Sequence, residues 1–158
     1  VALENLQRDI AGEARADPFA RSLYRNDASI YEIEPVGGVL PRTRADVLHT
    51  VEVARQHHLP ILPRGGGTSL AGQSVGRALH LDFSKYMNRI LEVNSEEHWV
   101  RVQPGIVLDE LNLNMRRYGL IFAPDPSTSN RANVGGDLGN NSCGAHSIIW
   151  GLSLIHIS

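Results

Sequence analysis

The stretch Pro63-Arg64-Gly65-Gly66-Gly67-Thr68-Ser69-Leu70-Ala71-Gly72-Gln73 directly follows a short apolar segment, residues 59–62, that has the composition of a strand. Three consecutive glycines allow positive φ angles and leave no side chains in the path of a large ligand. Successive backbone N–H groups can then converge on an anion, with the hydroxyls of Thr68 and Ser69 as further donors. The pattern predicts a loop that holds a phosphate or diphosphate; a flexible glycine-rich turn is the alternative.

Two better-known phosphate loops are excluded by the spacing. A Walker loop ends in Gly-Lys-Ser/Thr, whereas Gly67 is followed by Thr68 with no lysine. The dinucleotide fingerprint of doubly wound folds needs a third glycine where this chain has Leu70, although Gly65 and Gly67 fit its first two positions. The loop therefore belongs to neither class.

A second stretch rich in polar and flexible residues lies about sixty residues further along. Prolines at 124 and 126 restrict residues 123–130 to an extended or turning path. Residues 133–144 then hold four glycines and three asparagines, a composition with little to bury and many hydrogen-bonding groups to offer. The stretch predicts contacts with a ligand; a long, partly disordered surface loop is the alternative.

Together these stretches resemble the FAD-binding PCMH-type domain of the vanillyl-alcohol oxidase/p-cresol methylhydroxylase superfamily. The similarity is greatest to the glycolate oxidase and D-lactate dehydrogenase branch. Within that branch, the chain looks like the amino-terminal part of large oxidoreductases that carry FAD and iron–sulfur clusters on one polypeptide. The resemblance covers roughly residues 3–151 and is carried, in order, by residues 24–31, 41–43, 63–73, 81–85, 102–105, 124–127 and 134–144.

The resemblance implies an α+β fold made of two α+β subdomains and truncated at its C-terminal end. We expect an N-terminal helical lead-in over residues 1–34 and the incomplete FAD-binding domain over 35–151. In the family a lysine and a threonine typically follow the glycine at position 151, and the flavin domain continues. Residues 152–158 do not match, which favours a foreign tail over a divergent native end.

The resemblance also implies which residues contact FAD. The amide cradle around the pyrophosphate is expected from Arg64, Gly65, Gly66, Gly67, Thr68 and Ser69, with Gln73 near its end. The segment lining the other side of the cofactor corresponds to Pro124, Asp125, Pro126 and Ser127. The paired glycines beside the pyrophosphate and ribose correspond to Gly135 and Gly136, and the stretch near the flavin ring to Asn140, Asn141, Ser142, Cys143 and Gly144.

At five positions, in these motifs or next to them, the role of the side chain has more than one interpretation. Arg64 is either a charge partner or a side chain that packs over the loop, with packing favoured, and Asp125 could instead cap a turn. Asp137 stands where a hydrophobic residue is common; its carboxylate would repel a pyrophosphate unless it points outward. For Cys143 we expect a small buried residue rather than a redox nucleophile. For His146 a structural role is favoured over an approach to the flavin.

The family reaction is the oxidation of a small 2-hydroxy acid such as D-lactate or glycolate. Hydride passes to flavin N5 while a base takes the hydroxyl proton, and a downstream acceptor, reached through iron–sulfur clusters in the long relatives, receives the electrons. Substrate-binding arginines and histidines lie in a downstream cap domain in this family, so the catalytic residue is unknown here. Relatives with covalent FAD carry a histidine where this chain has Thr68, which predicts noncovalent FAD.

Two other functions remain as alternatives. One is another flavoenzyme of the same fold, such as a carbohydrate oxidase or a sugar-nucleotide reductase. The motifs at 124–127 and 140–144 favour the hydroxy-acid branch over it. The other is a nucleotide-binding fragment that is inactive by itself.

Composition limits the partners and the compartment. The formal charge of −2, from 15 basic and 17 acidic residues, gives no electrostatic footprint for nucleic acid. A single cysteine can form no internal disulfide and cannot hold an iron–sulfur cluster, which needs several thiolates. The adjacent His57 and His58 would point in different directions on a helix, so we expect no metal site. No apolar run approaches about twenty residues, so we expect no transmembrane segment. A cytoplasmic location is expected, with membrane association through the electron acceptor as a variant.

The remaining pattern predicts the other elements. Leu3, Leu6, Ile10 and Ala14 have helical spacing, and Asp17-Pro18 should break that helix. A strand over 36–40 precedes a helix that Thr43 and Asp46 open as a near capping box, with Val47, Val51, Ala54 and His58 on one face. A half-buried strand is expected over 79–83, a strand pair at 90–93 and 99–102, and a helix through Leu108, Leu111, Met115 and Tyr118 that stops at Gly119.

Overall fold

The computed structural model describes residues 2–152, which divide into two compact units between Met87 and Asn88. Each unit contains both helices and strands, which confirms the predicted α+β class. Apart from Leu152, the predicted foreign tail lies outside the described residues.

The first unit is built on a four-stranded sheet. Its elements are α1 Ala2–Asp9, β1 Glu13–Arg15, α2 Pro18–Tyr24, β2 Gly37–Leu40, α3 Arg44–Gln56, β3 Ile61–Arg64 and β4 Leu79–Asp82. The strand order is β1-β2-β4-β3, with β1 antiparallel to β2 and the other pairs parallel. The predicted lead-in therefore contributes a strand as well as helices to this unit.

The first helix ends earlier than the spacing of the apolar residues predicted. Leu6, Ile10 and Ala14 are all buried, as the spacing predicted, but α1 ends at Asp9 and Ala14 lies in β1. The prediction for Asp17-Pro18 missed a second helix. The Asp17 carboxylate accepts the Ala20 N–H at 3.0 Å as the N-cap of α2, and Pro18 takes the first helical position, where its missing N–H costs nothing.

The capping box at the start of α3 is confirmed. Thr43 Oγ1 accepts the Asp46 N–H at 3.1 Å, and Asp46 Oδ2 accepts the Thr43 N–H at 3.2 Å. The predicted apolar face was partly wrong, because the buried residues of α3 are Asp46, Thr50 and Ala54. Val51 is exposed, and His58 lies beyond the helix with a φ of 53°.

Strand β4 is buried on both faces, not one. It pairs with β2 on one side and β3 on the other, and parallel strands in such a position are covered by helices and loops above and below. The polar residues of β4 are consequently interior. His80 is fully buried with Nε2 3.2 Å from the Gly76 carbonyl oxygen, and burial lowers its pKa.

Over its described residues, 88–152, the second unit contains a hairpin and three α-helices. Strands β5 Ile90–Asn94 and β6 Trp99–Val102 pair antiparallel, as predicted. The predicted helix is α4 Leu108–Met115, extended by a 3-10 turn, Arg116–Tyr118, and stopped at Gly119 with a φ of 68°. Two short helices follow, α5 Val134–Gly139 and α6 Ser147–Trp150. The core is formed by Ile106, Leu108, Leu111, Met115 and Val134.

None of the helices within residues 2–152 has both the length and the apolar character needed to cross a bilayer.

Candidate functional site

The glycine loop begins at the carboxyl end of β3. Most of the main-chain N–H groups of this loop have no hydrogen-bond partner in the described structure. Within the described part of the chain, no acceptor faces the N–H groups of six consecutive residues: Gly65, Gly66, Gly67, Thr68, Ser69 and Leu70. These residues are half-buried or exposed. Pairing of these N–H groups with neighbouring strands would have argued against an anion seat. The loop instead offers a row of unpaired donors, as an anion ligand requires.

Gly67 and Gly72 are loop positions whose positive φ angles favour glycine, and Gly67 lies in the triple-glycine run. The φ of Gly67 is 63°, and a Cβ there would lie 2.6 Å from Nη2 of Arg64. The Gly67 carbonyl oxygen accepts the Ala28 N–H at 3.0 Å, and this hydrogen bond fixes the centre of the loop.

Arg64 lies beneath the loop and bonds to main-chain carbonyls. Its guanidinium donates to Tyr24 O at 3.3 Å, Asn26 O at 2.7 Å and Ser74 O at 2.7 Å. Burial lowers the pKa of Arg64, against the opposing charge of Asp82 and Asp27. These contacts support the packing interpretation of Arg64, since three of its five N–H groups donate to main-chain carbonyls of the protein itself.

The polar side chains of the loop mostly bond within the loop. Ser69 Oγ accepts the Gln73 N–H at 3.1 Å, and Gln73 Oε1 accepts the Ala71 N–H at 3.2 Å. The half-buried Thr68 has no hydrogen-bond partner among residues 2–152. Ser69 and Gln73 therefore shape the loop, and Thr68 keeps a hydroxyl available to a ligand.

Asp27 is a loop contact that the sequence analysis missed. Its Oδ1 accepts the Ser29 N–H at 2.9 Å, and its Oδ2 accepts both the N–H and the hydroxyl of Ser74, at 3.3 and 2.9 Å. Burial raises the pKa of Asp27, but the bonds from Ser29 and Ser74 outweigh it and hold the pKa below its usual value. The sequence Asp27-Ala28-Ser29 favours a local Asx turn, and this pattern could have pointed to Asp27 as an ordered acceptor.

In the second unit the structure brings two predicted residues together, Asp125 and Gly144. A Cβ on Gly144 would overlap the carbonyl oxygen of Asp125, so only glycine allows the two backbones to touch there. The Asp125 carboxylate accepts the His146 N–H at 3.2 Å and contacts the ring Nδ1 of His146, and these bonds lower the pKa of Asp125. Pro124 is fully buried and Ser127 is exposed.

The glycine-rich segment after residue 133 is partly helical, which the composition did not predict. Gly135 and Gly136 lie in the first turn of α5, where the Gly135 N–H donates to Pro104 O at 2.9 Å. A Cβ on Gly135 would lie 2.7 Å from Cβ of Pro104, whereas one on Gly136 would meet open space. The helix needs glycine at 135 because Pro104 packs against it, a contact invisible in the local sequence.

The segment 140–144 begins with the C-terminal cap of α5. Asn141 has a φ of 49° and donates its N–H to Leu138 O at 3.1 Å, and the Ser142 N–H reaches Asp137 O at 2.8 Å. This is the Schellman arrangement, with asparagine in place of the usual glycine. Asn140 is exposed, and Asn141, Ser142 and Gly144 are half-buried.

Two predicted alternatives in this region were wrong. Asp137 does not point outward: it is 4% exposed, and its Oδ2 has no hydrogen-bond partner in the described structure. Burial raises its pKa to about 6, although a bond from Ser142 opposes the rise. Cys143 is exposed rather than buried, because the chain leaves the core once the cap of α5 is complete.

The chemistry available to this set of residues is binding by uncharged donors. Amides and hydroxyls can hold a diphosphate without a large formal charge. The described residues contain no group of three His, Cys, Asp or Glu side chains that could hold a metal ion.

Comparison with known proteins identifies the chain's relatives. A family model described as an FAD binding domain matches residues 35–157. D-2-hydroxyglutarate dehydrogenase of Escherichia coli (strain K12) is 38% identical over 154 residues, which cover 96% of this chain and 15% of that protein. Glycolate oxidase subunit GlcD of Bacillus subtilis (strain 168) is 32% identical over 136 residues, 84% of this chain and 29% of that subunit.

The fold also has counterparts among solved structures. That of alkyldihydroxyacetonephosphate synthase matches with a TM-score of 0.84 at 24% identity, covering 96% of this chain and 31% of the synthase. The chain thus spans about one sixth to one third of the length of these proteins.

Proposed function

The chain belongs to the FAD binding domain family of the PCMH type, and on that premise we propose that its glycine loop holds the diphosphate of noncovalently bound FAD. The observation that carries the proposal is the row of N–H groups from Gly65 to Leu70 without acceptors within residues 2–152. The predicted contacts Arg64, Gly65, Gly66, Gly67, Thr68, Ser69 and Gln73 are part of this proposal.

These residues fit the cofactor chemically. A diphosphate needs several convergent donors at low cost in desolvation, and oriented amides supply them. Thr68 adds a hydroxyl, and Arg64 contributes a half-buried positive charge beside the loop while three of its N–H groups bind carbonyls. Arg64 therefore favours the anion through its charge and through the shape that it gives the loop.

In the second unit, we propose that FAD is contacted by Pro124, Asp125, Ser127, Gly135, Gly136, Asn140, Asn141, Ser142, Cys143 and Gly144. The approach of Gly144 to Asp125 supports a shared role for the two segments. Because the Gly135 N–H is already bonded to Pro104, Gly135 would contribute close approach rather than a hydrogen bond.

For the whole protein we propose an FAD-linked dehydrogenase or oxidase of a small 2-hydroxy acid. D-lactate and glycolate are the substrates expected from the motifs, and the name of the Escherichia coli relative adds D-2-hydroxyglutarate. Bound FAD supplies the hydride acceptor in such reactions, while the residues of this chain bind and orient it. A cytoplasmic location, a downstream electron acceptor and iron–sulfur clusters elsewhere in the protein are parts of the same proposal.

Titration with FAD tests the cofactor assignment. We expect saturable quenching of flavin fluorescence with the wild-type protein and at least tenfold weaker binding with Gly67→Ala, because a Cβ there displaces Arg64. Gly119→Ala is the matched control: Gly119 has nearly the same φ, 68°, but nothing within 4 Å of a Cβ. A wild-type protein that leaves FAD fluorescence unchanged would refute the assignment.

Anaerobic addition of each acid to the full-length flavoprotein tests the substrate. Bleaching of the flavin absorbance by one of the three 2-hydroxy acids, and not by a sugar such as glucose, is the expected result. Bleaching by the sugar alone would favour the carbohydrate-oxidase alternative.

A further inference from the structure

Ser74, the residue that follows the glycine loop, is bound on two sides by charged groups. Arg64 Nη1 donates to its carbonyl oxygen at 2.7 Å. Asp27 Oδ2 accepts its N–H at 3.3 Å and its hydroxyl at 2.9 Å. Since Arg64 is the last residue before the loop, its side chain bridges the two ends of residues 65–73.

Residues 24–33, which we term the strap, include Asp27 and also bind Arg64. Arg64 donates to Tyr24 O and Asn26 O, and Ala28 of the strap donates to Gly67 O at 3.0 Å. The strap is closed on itself by the Ile33 N–H, which donates to Arg25 O at 2.9 Å. The loop is thus tied at its start, centre and end to one folded segment.

The charges make these ties stronger than neutral ones. The pKa of Asp27 is below its usual value, so the carboxylate is ionised at neutral pH and its bonds to Ser74 are charge-assisted. Arg64 is half-buried, and its guanidinium donates to three main-chain carbonyls, which restrict its orientation.

We propose that Asp27, Ser74 and Arg64 form a clasp that fixes the glycine loop in the conformation that presents its free N–H groups to the diphosphate. The proposal rests on the proposed function and makes Asp27 and Ser74 positioning residues that do not touch FAD. A loop with three adjacent glycines loses much conformational entropy when it binds a ligand. A clasp that orders the loop beforehand removes that loss from the binding step.

The test is the FAD affinity of clasp variants, measured by flavin fluorescence at a temperature where circular dichroism shows every apoprotein folded. We expect Asp27→Asn to weaken FAD binding at least tenfold, because in either orientation the amide NH2 faces a main-chain N–H, that of Ser74 or that of Ser29. Ser74→Ala should weaken it three- to tenfold, while Ser74→Thr, which keeps the hydroxyl, should retain it. Adding Ser74→Ala to Asp27→Asn should cost little more, since the two changes remove the same bond.

Asp9→Asn is the matched control, because Asp9 is a surface carboxylate that faces His49 at 3.6 Å. Folded Asp27→Asn and Ser74→Ala variants with wild-type affinity would overturn the clasp and leave the proposed function standing. A wild-type protein that does not bind FAD would overturn both. If Asp27→Asn does not fold, the comparison of Ser74→Ala with Ser74→Thr decides alone.

Discussion

The main-chain carbonyl of Asp137 accepts the N–H of Ser142 at 2.8 Å, and the side chain of the same aspartate is buried beneath that cap. A carboxyl in such a place is costly to ionise, because burial takes it out of water and no cation among residues 2–152 lies near enough to lower its pKa. The charge beside the cap of α5 therefore changes near pH 6, where Asp137 titrates.

The stability of the protein should depend on pH through Asp137. Its pKa is about 6 in the folded chain and 3.8 without burial, so between these values the native state keeps a proton that the unfolded state has released. Stability then falls as pH rises through this window, by roughly 3 kcal/mol in all at about 1.4 kcal/mol per pKa unit. Asp137→Asn lacks this titration, so its stability relative to wild type should improve by that amount from pH 4 to pH 8.

Urea denaturation at pH 4, 6 and 8 measures this difference. Asp109→Asn, an exposed carboxyl in the first turn of α4, gives the background for loss of a surface charge. A pH-independent difference between Asp137→Asn and wild type would show that folding does not raise the pKa of Asp137.

The contact between Gly144 and Asp125 predicts opposite effects of the same substitution at two glycines. Gly144→Ala forces the Asp125 backbone away and should destabilise the protein by about 2 kcal/mol or more. Gly139→Ala lies in α5 with no atom within 4 Å of the new Cβ, and should stabilise by about 0.5 to 1 kcal/mol through helix propensity. Thermal unfolding of both variants distinguishes them; equal midpoints would contradict the close approach at Gly144.

Because residue 68 is a threonine, we expect denaturation to release FAD from the protein. A threonine hydroxyl cannot form the covalent bond that a histidine ring makes with the flavin in some relatives. Precipitation of the holoprotein with acid should therefore leave a colourless pellet and a yellow supernatant. A yellow pellet that keeps its colour through washing would contradict the prediction.

Local signals were predictable from the sequence and contacts made across the chain were not. The capping box of Thr43 with Asp46 and the stop at Gly119 were readable because each depends on neighbouring residues only. Helix α5 was missed because its glycines oppose a helix locally, while Pro104 requires one of them through packing. Asp27 was missed because its partner Ser74 is 47 residues away.

Asp46 allows a test of how much a well-satisfied buried carboxylate contributes. It accepts the N–H groups of Ala11, Arg42 and Thr43 at 2.8 to 3.2 Å, and the Thr43 hydroxyl at 2.9 Å. Burial raises its pKa, yet these bonds outweigh it and hold the pKa below its usual value. Its contribution is therefore present at neutral pH and lost as pH falls through the folded pKa.

Asp46→Asn places an amide donor against main-chain N–H groups and should cost about 2 to 4 kcal/mol at pH 7. Asp17→Asn makes the same chemical change at the N-cap of α2, where asparagine caps equally well and the other bond lost is an exposed ion pair with Arg15, so it should cost much less than Asp46→Asn. Urea denaturation of the two variants at pH 7 gives the comparison. Equal loss in both would mean that the four bonds to Asp46 contribute no more than a single surface cap.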